Sequence, residues 1–107
     1  MVIQRFAVYL VQLDPTLGSE IRKTRPCLVV SPDEMNRHLR TVIIAPMTTT
    51  TRNYPTRVRC VFDSKPGEIA LDQIRTVDQT RLLKRLGQLA PATRQRVTQV
   101  LQEMFAA

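Results

Sequence analysis

The sequence predicts a fold of the α+β class that is mostly β, a small antiparallel sheet or barrel with a short helix and a C-terminal helix. Short apolar runs rich in β-branched residues recur along the chain, and the one long segment with helical spacing comes last. Strands do not alternate with helices, which argues against a doubly wound parallel sheet. The chain has 107 residues, and we expect residues 1–107 to form a single domain.

The first half of the chain contains three predicted strands and one short helix. Residues 14–18, with the sequence DPTLG, are typical of a turn. Ser31 is the predicted N-cap of the helix, with Pro32 at its first position. Pro46 is expected to close the third strand. The predicted strands are residues 6–13, 27–30 and 41–45.

The second half begins with a hydroxyl-rich loop over residues 48–55. Residues 56–62 follow, and their alternating pattern predicts a half-exposed strand with Arg57 and Arg59 on its solvent face. Residues 63–67 predict a turn.

Residues 68–77 predict one further strand, with Asp72 and Gln73 in its middle. These two side chains need a partner or a cleft, because burying unpaired polar groups costs free energy. Residues 81–89 fit either a helical turn or a last strand. Pro91 begins the closing helix, whose apolar stripe we assign to the core or to a dimer contact. That stripe consists of Val97, Val100, Leu101, Met104 and Phe105.

The charge of the chain indicates a polyanionic partner. There are 16 Lys and Arg residues against 9 Asp and Glu, which gives a formal charge of +7 and a pI near 10.5. Nucleic acid, an anionic membrane surface and an acidic protein all fit this charge. Most of the cations are Arg, which suits phosphate. No apolar run is long enough to span a bilayer and no signal peptide is recognisable, so we expect a cytoplasmic protein without a membrane partner.

The cysteines and the single histidine do not indicate a metal site or a cofactor. Cys27 and Cys60 lie inside apolar runs, and both are predicted to be small core residues rather than a disulfide. His38 lies among polar residues and is predicted to be exposed. No spacing of cysteines and histidines typical of zinc is present, and we expect neither metal nor cofactor.

The remaining polar candidates suit a phosphate. Arg25 lies in a basic loop that leads directly into an apolar strand, which combines access with rigidity. An arginine donates paired hydrogen bonds to phosphate oxygens, and a threonine such as Thr48 adds another donor. RNA carries its own nucleophile, the 2′-hydroxyl group. From the residues alone, the interpretation is a metal-free site for RNA or another phosphate.

Three blocks of sequence narrow this interpretation. They are residues 13–20 followed by Arg25-Pro26, residues 45–49 followed by Tyr54-Pro55, and residues 67–75. Together they cover nearly the whole chain, and they resemble the MazF/PemK-like family of toxin endoribonucleases. The resemblance implies a compact SH3-like barrel of the CcdB/PemK type that acts as a homodimer.

The same resemblance implies an activity and a partner. The activity is sequence-specific cleavage of single-stranded RNA, mRNA above all, without a metal, to 2′,3′-cyclic phosphate and 5′-hydroxyl ends. The partner is an antitoxin whose acidic, disordered C-terminal tail occupies the RNA groove. Two alternatives stay open at this point. One is a gyrase-binding toxin on the same fold, and the other is an RNA-binding module that does not cleave.

The resemblance also assigns residues. The catalytic arginine of the family falls on Arg25, its catalytic threonine on Thr48 and its loop glutamate on Glu20. Arginine stays protonated in proteins, so we interpret Arg25 as an electrostatic clamp and Glu20 as the candidate base. The expected RNA contacts are Ser19, Lys23, Thr49, Thr50, Arg52, Tyr54, Asp72 and Gln73.

Overall fold

The computed structural model describes residues 2–13 and 24–107 of the chain. A seven-stranded sheet curls into a half-barrel that carries two α-helices, and each strand pairing in the described residues is antiparallel. This confirms the predicted fold class. The elements are β1 (Ala7–Gln12), β2 (Thr24–Val29), α1 (Asp33–His38), β3 (Thr41–Thr48), β4 (Arg57–Phe62), β5 (Lys65–Ala70), β6 (Arg75–Asp78), β7 (Leu82–Gln88) and α2 (Pro91–Phe105). The turn predicted at residues 14–18 lies outside the described residues.

The strand β3 is central, and it is longer than predicted. The strand order is β4-β5-β3-β2-β1-β7, with β6 pairing to β3 as well. Residues 41–44 of β3 pair with β6 and residues 47–48 pair with β5. Pro46 falls between these two pairings on one edge of β3 and lies opposite Cys27 of β2 on the other edge. The prediction that Pro46 ends the strand is therefore wrong, and β3 continues to Thr48.

The prediction of a single strand over residues 68–77 is also wrong. The strand β5 ends at Ala70, a 3₁₀ turn covers Leu71–Gln73, and β6 begins at Arg75. The turn buries the Leu71 side chain completely and leaves Asp72 exposed, which a continuous central strand would bury.

The turn before β5 is tighter than predicted. Asp63 and Ser64 both have positive φ, 52° and 64°, as a two-residue hairpin turn requires. The strand β5 consequently begins at Lys65 rather than after Gly67. For residues 81–89, the sequence fits either a helical turn or a strand. Residues 82–88 form a strand, so the strand alternative is confirmed.

The helix α1 begins differently from the prediction. Pro32 occupies the N-cap position without a side-chain cap, so the assignment of Ser31 as N-cap is wrong. The Ser31 hydroxyl instead donates to Oδ1 of the buried Asn36 and accepts the N–H of Ile43 at 3.0 Å. These bonds tie the helix to β3. His38 is exposed, as predicted.

Two apolar clusters form the core, one on each face of the central strands. Cys27 belongs to one and Leu28 to the other, which explains why β2 is apolar on both faces. The helix α2 buries Val97 and Val100 in the second cluster, while Phe105 at its end is 70% exposed. The predicted stripe therefore packs on the core only in part. No helix among the described residues is both long and apolar enough to cross a membrane.

The two cysteines differ in burial. Cys27 is fully buried, and this burial raises the pKa of its thiol to about 12. Cys60 is only half-buried, so the prediction of a core residue holds fully for Cys27 alone. Burial raises the pKa of the Cys60 thiol as well. Both cysteines are free.

Candidate active site

A polar groove of about 210 Å³ opens beside the C-terminal end of β3. Arg25 reaches it from the second position of β2, so the prediction that Arg25 lies in the loop before this strand is wrong. Thr48 reaches it from the last position of β3. Cys27 of β2 pairs with Pro46 of β3 in antiparallel register. Arg25 lies two residues before Cys27 and Thr48 two residues after Pro46, so the two residues lie at the same end of the strand pair. The lining consists of Arg25, Pro46, Thr48, Thr50, Arg52, Arg57, Ala70 and Gln73. The structure thus brings together five of the residues that the sequence singled out: Arg25, Thr48, Thr50, Arg52 and Gln73.

The hydroxyl group of Thr48 has a defined direction. Its Oγ1 accepts the backbone N–H of Thr50 at 3.1 Å, which uses one of its lone pairs. The hydroxyl hydrogen remains free to donate elsewhere. Because Thr48 lines the groove, it can offer this hydrogen to an anion bound there.

A buried carboxylate, Glu68, holds the loop that follows Thr48. The side chain is 0% exposed and accepts the N–H of Arg52 at 2.9 Å and the N–H of Asn53 at 3.1 Å. Nη1 of Arg57 lies 3.4 Å from it. The pKa of Glu68 is lowered, mainly by the hydrogen bond from the Arg52 N–H. The Asn53 N–H and the Arg57 guanidinium lower it further, although burial of the carboxylate opposes the shift.

The side chain of Arg57 is fixed on its other side by Asp72. The Arg57 Nε lies 2.6 Å from Asp72 Oδ1, and Nη2 lies 3.3 Å from Oδ2. Thr56 adds a third hydrogen bond to this carboxylate at 3.1 Å. The hydrogen bond from Arg57 is the main reason that the pKa of Asp72 is lowered. Asp72 has the partners that were expected for it, but the predicted reason is wrong, because Asp72 is exposed in the 3₁₀ turn and not buried in a strand.

The prediction of a solvent-facing Arg57 is wrong. Only 6% of its side chain is exposed, because two carboxylates surround the guanidinium and the ring of Tyr54 lies 5.2 Å from it. Arg59, two residues on, is exposed as predicted. The structural roles of Arg57 and Glu68 were not predicted from the sequence. The one usable signal was a carboxylate at the head of the apolar run 69–71, since a charge beside a buried strand requires partners.

The other predicted site residues lie at the edge of the groove or outside the described residues. Thr49 lines a neighbouring cavity of about 300 Å³ that shares Thr48 with the groove. Tyr54 is half-exposed at the end of the loop. Ser19, Glu20 and Lys23 lie outside the described residues.

The chemistry of the groove is that of an anion site. Arg25 and Arg52 supply positive charge, and the Thr48 hydroxyl supplies a neutral donor. The charge of Arg57, which also lines the groove, is balanced by Glu68 and Asp72. Guanidinium groups bind phosphate oxygens in pairs, and such fixed donors stabilise charge that develops in a reaction. Among the described residues, no group of three or more His, Cys, Asp and Glu side chains lies close enough to hold a metal ion.

The fold and the groove together define a small protein with a curled antiparallel sheet and a polar groove whose arginine and threonine donors suit an anion. Residues 4–105 match the model of the PemK-like, MazF-like toxins of type II toxin–antitoxin systems, and the chain belongs to this family. The family resemblance seen in the sequence is therefore confirmed.

Relatives and solved structures agree with this assignment. The endoribonuclease EndoA of Bacillus subtilis (strain 168) is 32% identical over 112 residues, which cover 99% of this chain and 97% of EndoA. A mycobacterial endoribonuclease superposes with a TM-score of 0.79 at 30% identity, covering 96% of this chain and 90% of that one. A mycobacterial endoribonuclease in complex with its cognate antitoxin gives a TM-score of 0.78 at 30% identity, covering 94% and 92%.

Proposed function

We propose that this chain is the toxin of a type II toxin–antitoxin system and cleaves single-stranded RNA, with mRNA as the expected substrate. The observation that carries the proposal is the meeting of Arg25 and Thr48 in one arginine-lined groove. Membership of a toxin family with endoribonuclease relatives supports it. The gyrase-binding alternative is not favoured, because it does not require this pair of residues at a phosphate. The similarity to endoribonucleases disfavours a module that binds RNA without cleaving it.

The reaction we propose is a transesterification within the RNA. The 2′-oxygen attacks the adjacent phosphorus, the P–O2′ bond forms and the P–O5′ bond breaks. The 2′-hydroxyl loses its proton to a base, and the leaving 5′-oxygen gains one. The products are a 2′,3′-cyclic phosphate and a 5′-hydroxyl end. The Arg25 guanidinium neutralises the charge on the non-bridging oxygens, and the Thr48 hydroxyl donates a hydrogen bond to one of them.

We assign the role of general base to Glu20. Arginine does not release its proton in proteins, which rules out Arg25. Glu68 is fully buried, and its carboxylate already accepts bonds from three donors. Asp72 is bound by Arg57. A pH–rate profile tests the assignment: Glu20→Gln should remove an inflection in the carboxylate range. An unchanged profile would exclude Glu20.

We propose that the surrounding polar side chains bind the RNA on either side of the scissile phosphate. Arg52 and Gln73 line the groove beside Thr50, and the half-exposed Tyr54 ring offers a surface on which a base can stack. Asp72 contributes through the orientation of Arg57. The full set is Ser19, Lys23, Thr49, Thr50, Arg52, Tyr54, Asp72 and Gln73.

We further propose that residues 1–107 form one domain, that the protein acts in the cytoplasm as a homodimer, and that a cognate antitoxin inhibits it. The net charge of +7 supports an antitoxin with an acidic, disordered C-terminal tail that competes with RNA for the groove. The mycobacterial relative that forms a complex with its antitoxin supports a partner of this kind.

Cleavage of a long single-stranded RNA tests the function directly. Purified protein is incubated with the RNA in EDTA, alongside matched single-stranded DNA, and the ends are mapped by primer extension. We expect discrete cuts in RNA only. In Arg25→Ala, the cleavage rate should fall by a factor of at least about a hundred. The matched control is Arg59→Ala, which removes an exposed arginine of β4 outside the groove. Intact RNA with the unaltered protein would refute the proposal.

A further inference from the structure

We propose that Glu68 is a positioning residue of this active site. Its buried carboxylate fixes the loop of residues 49–54, and thereby sets the position of Thr48 and Arg52 in the groove. The inference rests on the proposed RNA cleavage and deepens it, because it names a residue that acts on the reaction without touching the substrate.

The first support is the burial of the charge. Glu68 is among the largest fully buried side chains of the described residues. A carboxylate in a protein interior is costly unless its oxygens are hydrogen-bonded. Oε1 accepts from the Arg52 N–H and from Arg57 Nη1, and Oε2 accepts from the Asn53 N–H. Both oxygens are therefore satisfied by the active-site loop and by one groove arginine.

The second support is the position of Glu68 in the sheet. It lies on β5 and pairs with Thr48, the last residue of β3. The loop leaves the sheet at Thr48, and its Arg52 and Asn53 N–H groups return to the carboxylate on the neighbouring strand. Glu68 thus connects the catalytic threonine, the loop and the sheet at one point.

The third support is the lack of apolar packing in the loop. All residues from 49 to 54 are classed as exposed, and Tyr54, whose ring lies over Arg57, is itself 51% exposed, so burial of apolar side chains contributes little to holding the loop. Asn53 has a positive φ of 57°, which asparagine tolerates, and in this conformation its N–H donates to Glu68. Without the hydrogen bonds to Glu68, we expect the loop to sample other conformations.

The mechanism that follows is preorganisation. A fixed loop presents the Thr48 hydroxyl and the Arg52 side chain to the phosphate without reorganisation at the moment of reaction. A displacement of about 1 Å in such a group can lower the rate about a hundredfold. Loss of Glu68 should therefore reduce kcat more than it weakens RNA binding, since the groove arginines remain.

The test uses Glu68→Gln and Glu68→Asp, with Glu34→Gln as the matched control on the exposed surface of α1. Kinetics are measured with a short RNA that contains the mapped cleavage site, and hydrogen exchange is measured at the Arg52 and Asn53 amides. Glutamine keeps the shape but loses the charge, and aspartate keeps the charge but is one methylene shorter.

In Glu68→Gln, we expect faster exchange at both amides, a fall in kcat of about a hundredfold and a KM within about threefold of the unaltered protein. For Glu68→Asp, the exchange rates and kcat should lie between those of Glu68→Gln and those of the unaltered protein. Circular dichroism reports the folded fraction, and a merely structural role would lower activity only in proportion to it. If Glu68→Gln does not fold, Glu68→Asp carries the same comparison.

Faster exchange at the two amides with an unchanged kcat would overturn the inference and leave the proposed function standing. Unchanged exchange in a folded variant would also overturn it, because the carboxylate would not be holding the loop. RNA that stays intact with the unaltered protein is a different result, and it would overturn the proposed function itself.

Discussion

A Cβ atom added to Gly67 would lie 2.4 Å from the carbonyl oxygen of Thr48, closer than a real Cβ atom approaches a neighbour. The nearest obstacle is backbone, so it cannot swing aside as a flexible side chain would. The absence of a side chain at Gly67 is what lets β5 approach the end of β3. This close approach places Glu68, the next residue, directly across from Thr48.

Gly67→Ala should therefore push the end of β3 away from β5. We expect a loss of about 1–3 kcal/mol in the free energy of unfolding, as for other overpacked sites, measured by urea denaturation. Cleavage should fall further than stability alone explains, because the displaced residue is Thr48. Lys65→Ala, at an exposed position of the same strand, is the control and should change stability by less than about 0.5 kcal/mol. An equally stable and active Gly67→Ala would contradict the close approach.

Thr48 should act through its hydroxyl hydrogen. Thr48→Ala removes the donor, and we expect the cleavage rate to fall about a hundredfold, less than for Arg25→Ala, which removes a full charge. Thr48→Ser keeps the hydroxyl and should retain most of the activity. The measurement is single-turnover cleavage at saturating protein. Equal loss in the alanine and serine variants would indicate that the methyl group, and not the hydroxyl, matters.

Local sequence patterns predicted the strands that are apolar on both faces and the helix from Pro91. They failed where a distant residue decides the structure. The break after Ala70 follows from Leu71 turning into the core while Asp72 reaches Arg57, 15 residues back along the chain. The alternating pattern of residues 56–62 predicted a solvent-exposed Arg57, because such a pattern does not show that carboxylates from other segments face this side chain.

The site shows the same division. Arg25 and Thr48 were found because the resemblance extends over ordered blocks of sequence, and the groove then joins them. Glu68 belongs to one of those blocks, yet its role depends on backbone N–H groups 15 and 16 residues away. Every residue except proline has a backbone N–H, so the sequence does not show which of these groups donates to Glu68. A buried carboxylate can be suspected from its apolar neighbours, but its partners require the fold.

Stability should fall in acid because folding lowers the pKa of Glu68 and of Asp72. The ordinary values are 4.5 and 3.8, so the contribution is complete at a pH above this range. As the pH decreases, the unfolded chain takes up protons first, and the contribution is lost progressively until the pH is below the folded pKa values. Thermal unfolding between about pH 7 and pH 3 measures this. The profile of Glu68→Gln should be flatter, and an identical slope would argue against a depressed pKa.

Asp72 should stabilise the site through Arg57, whose side chain is only 6% exposed. Asp72→Asn keeps the size but removes the charge that the guanidinium faces at 2.6 Å. We expect a loss of about 1–3 kcal/mol in the free energy of unfolding, since a buried charge loses a partner. The control Asp63→Asn lies in the exposed hairpin turn, where asparagine tolerates the positive φ.

A double-mutant cycle separates this ion pair from other effects of the Asp72 change. If the pair carries the loss, Asp72→Asn should cost much less in an Arg57→Met background, because the buried guanidinium is no longer there to lose its partner. Urea denaturation of the four proteins measures the coupling between the two residues. Additive losses would mean that Asp72 stabilises the fold through Thr56 and its own backbone, and that Arg57 is held in the groove by Glu68.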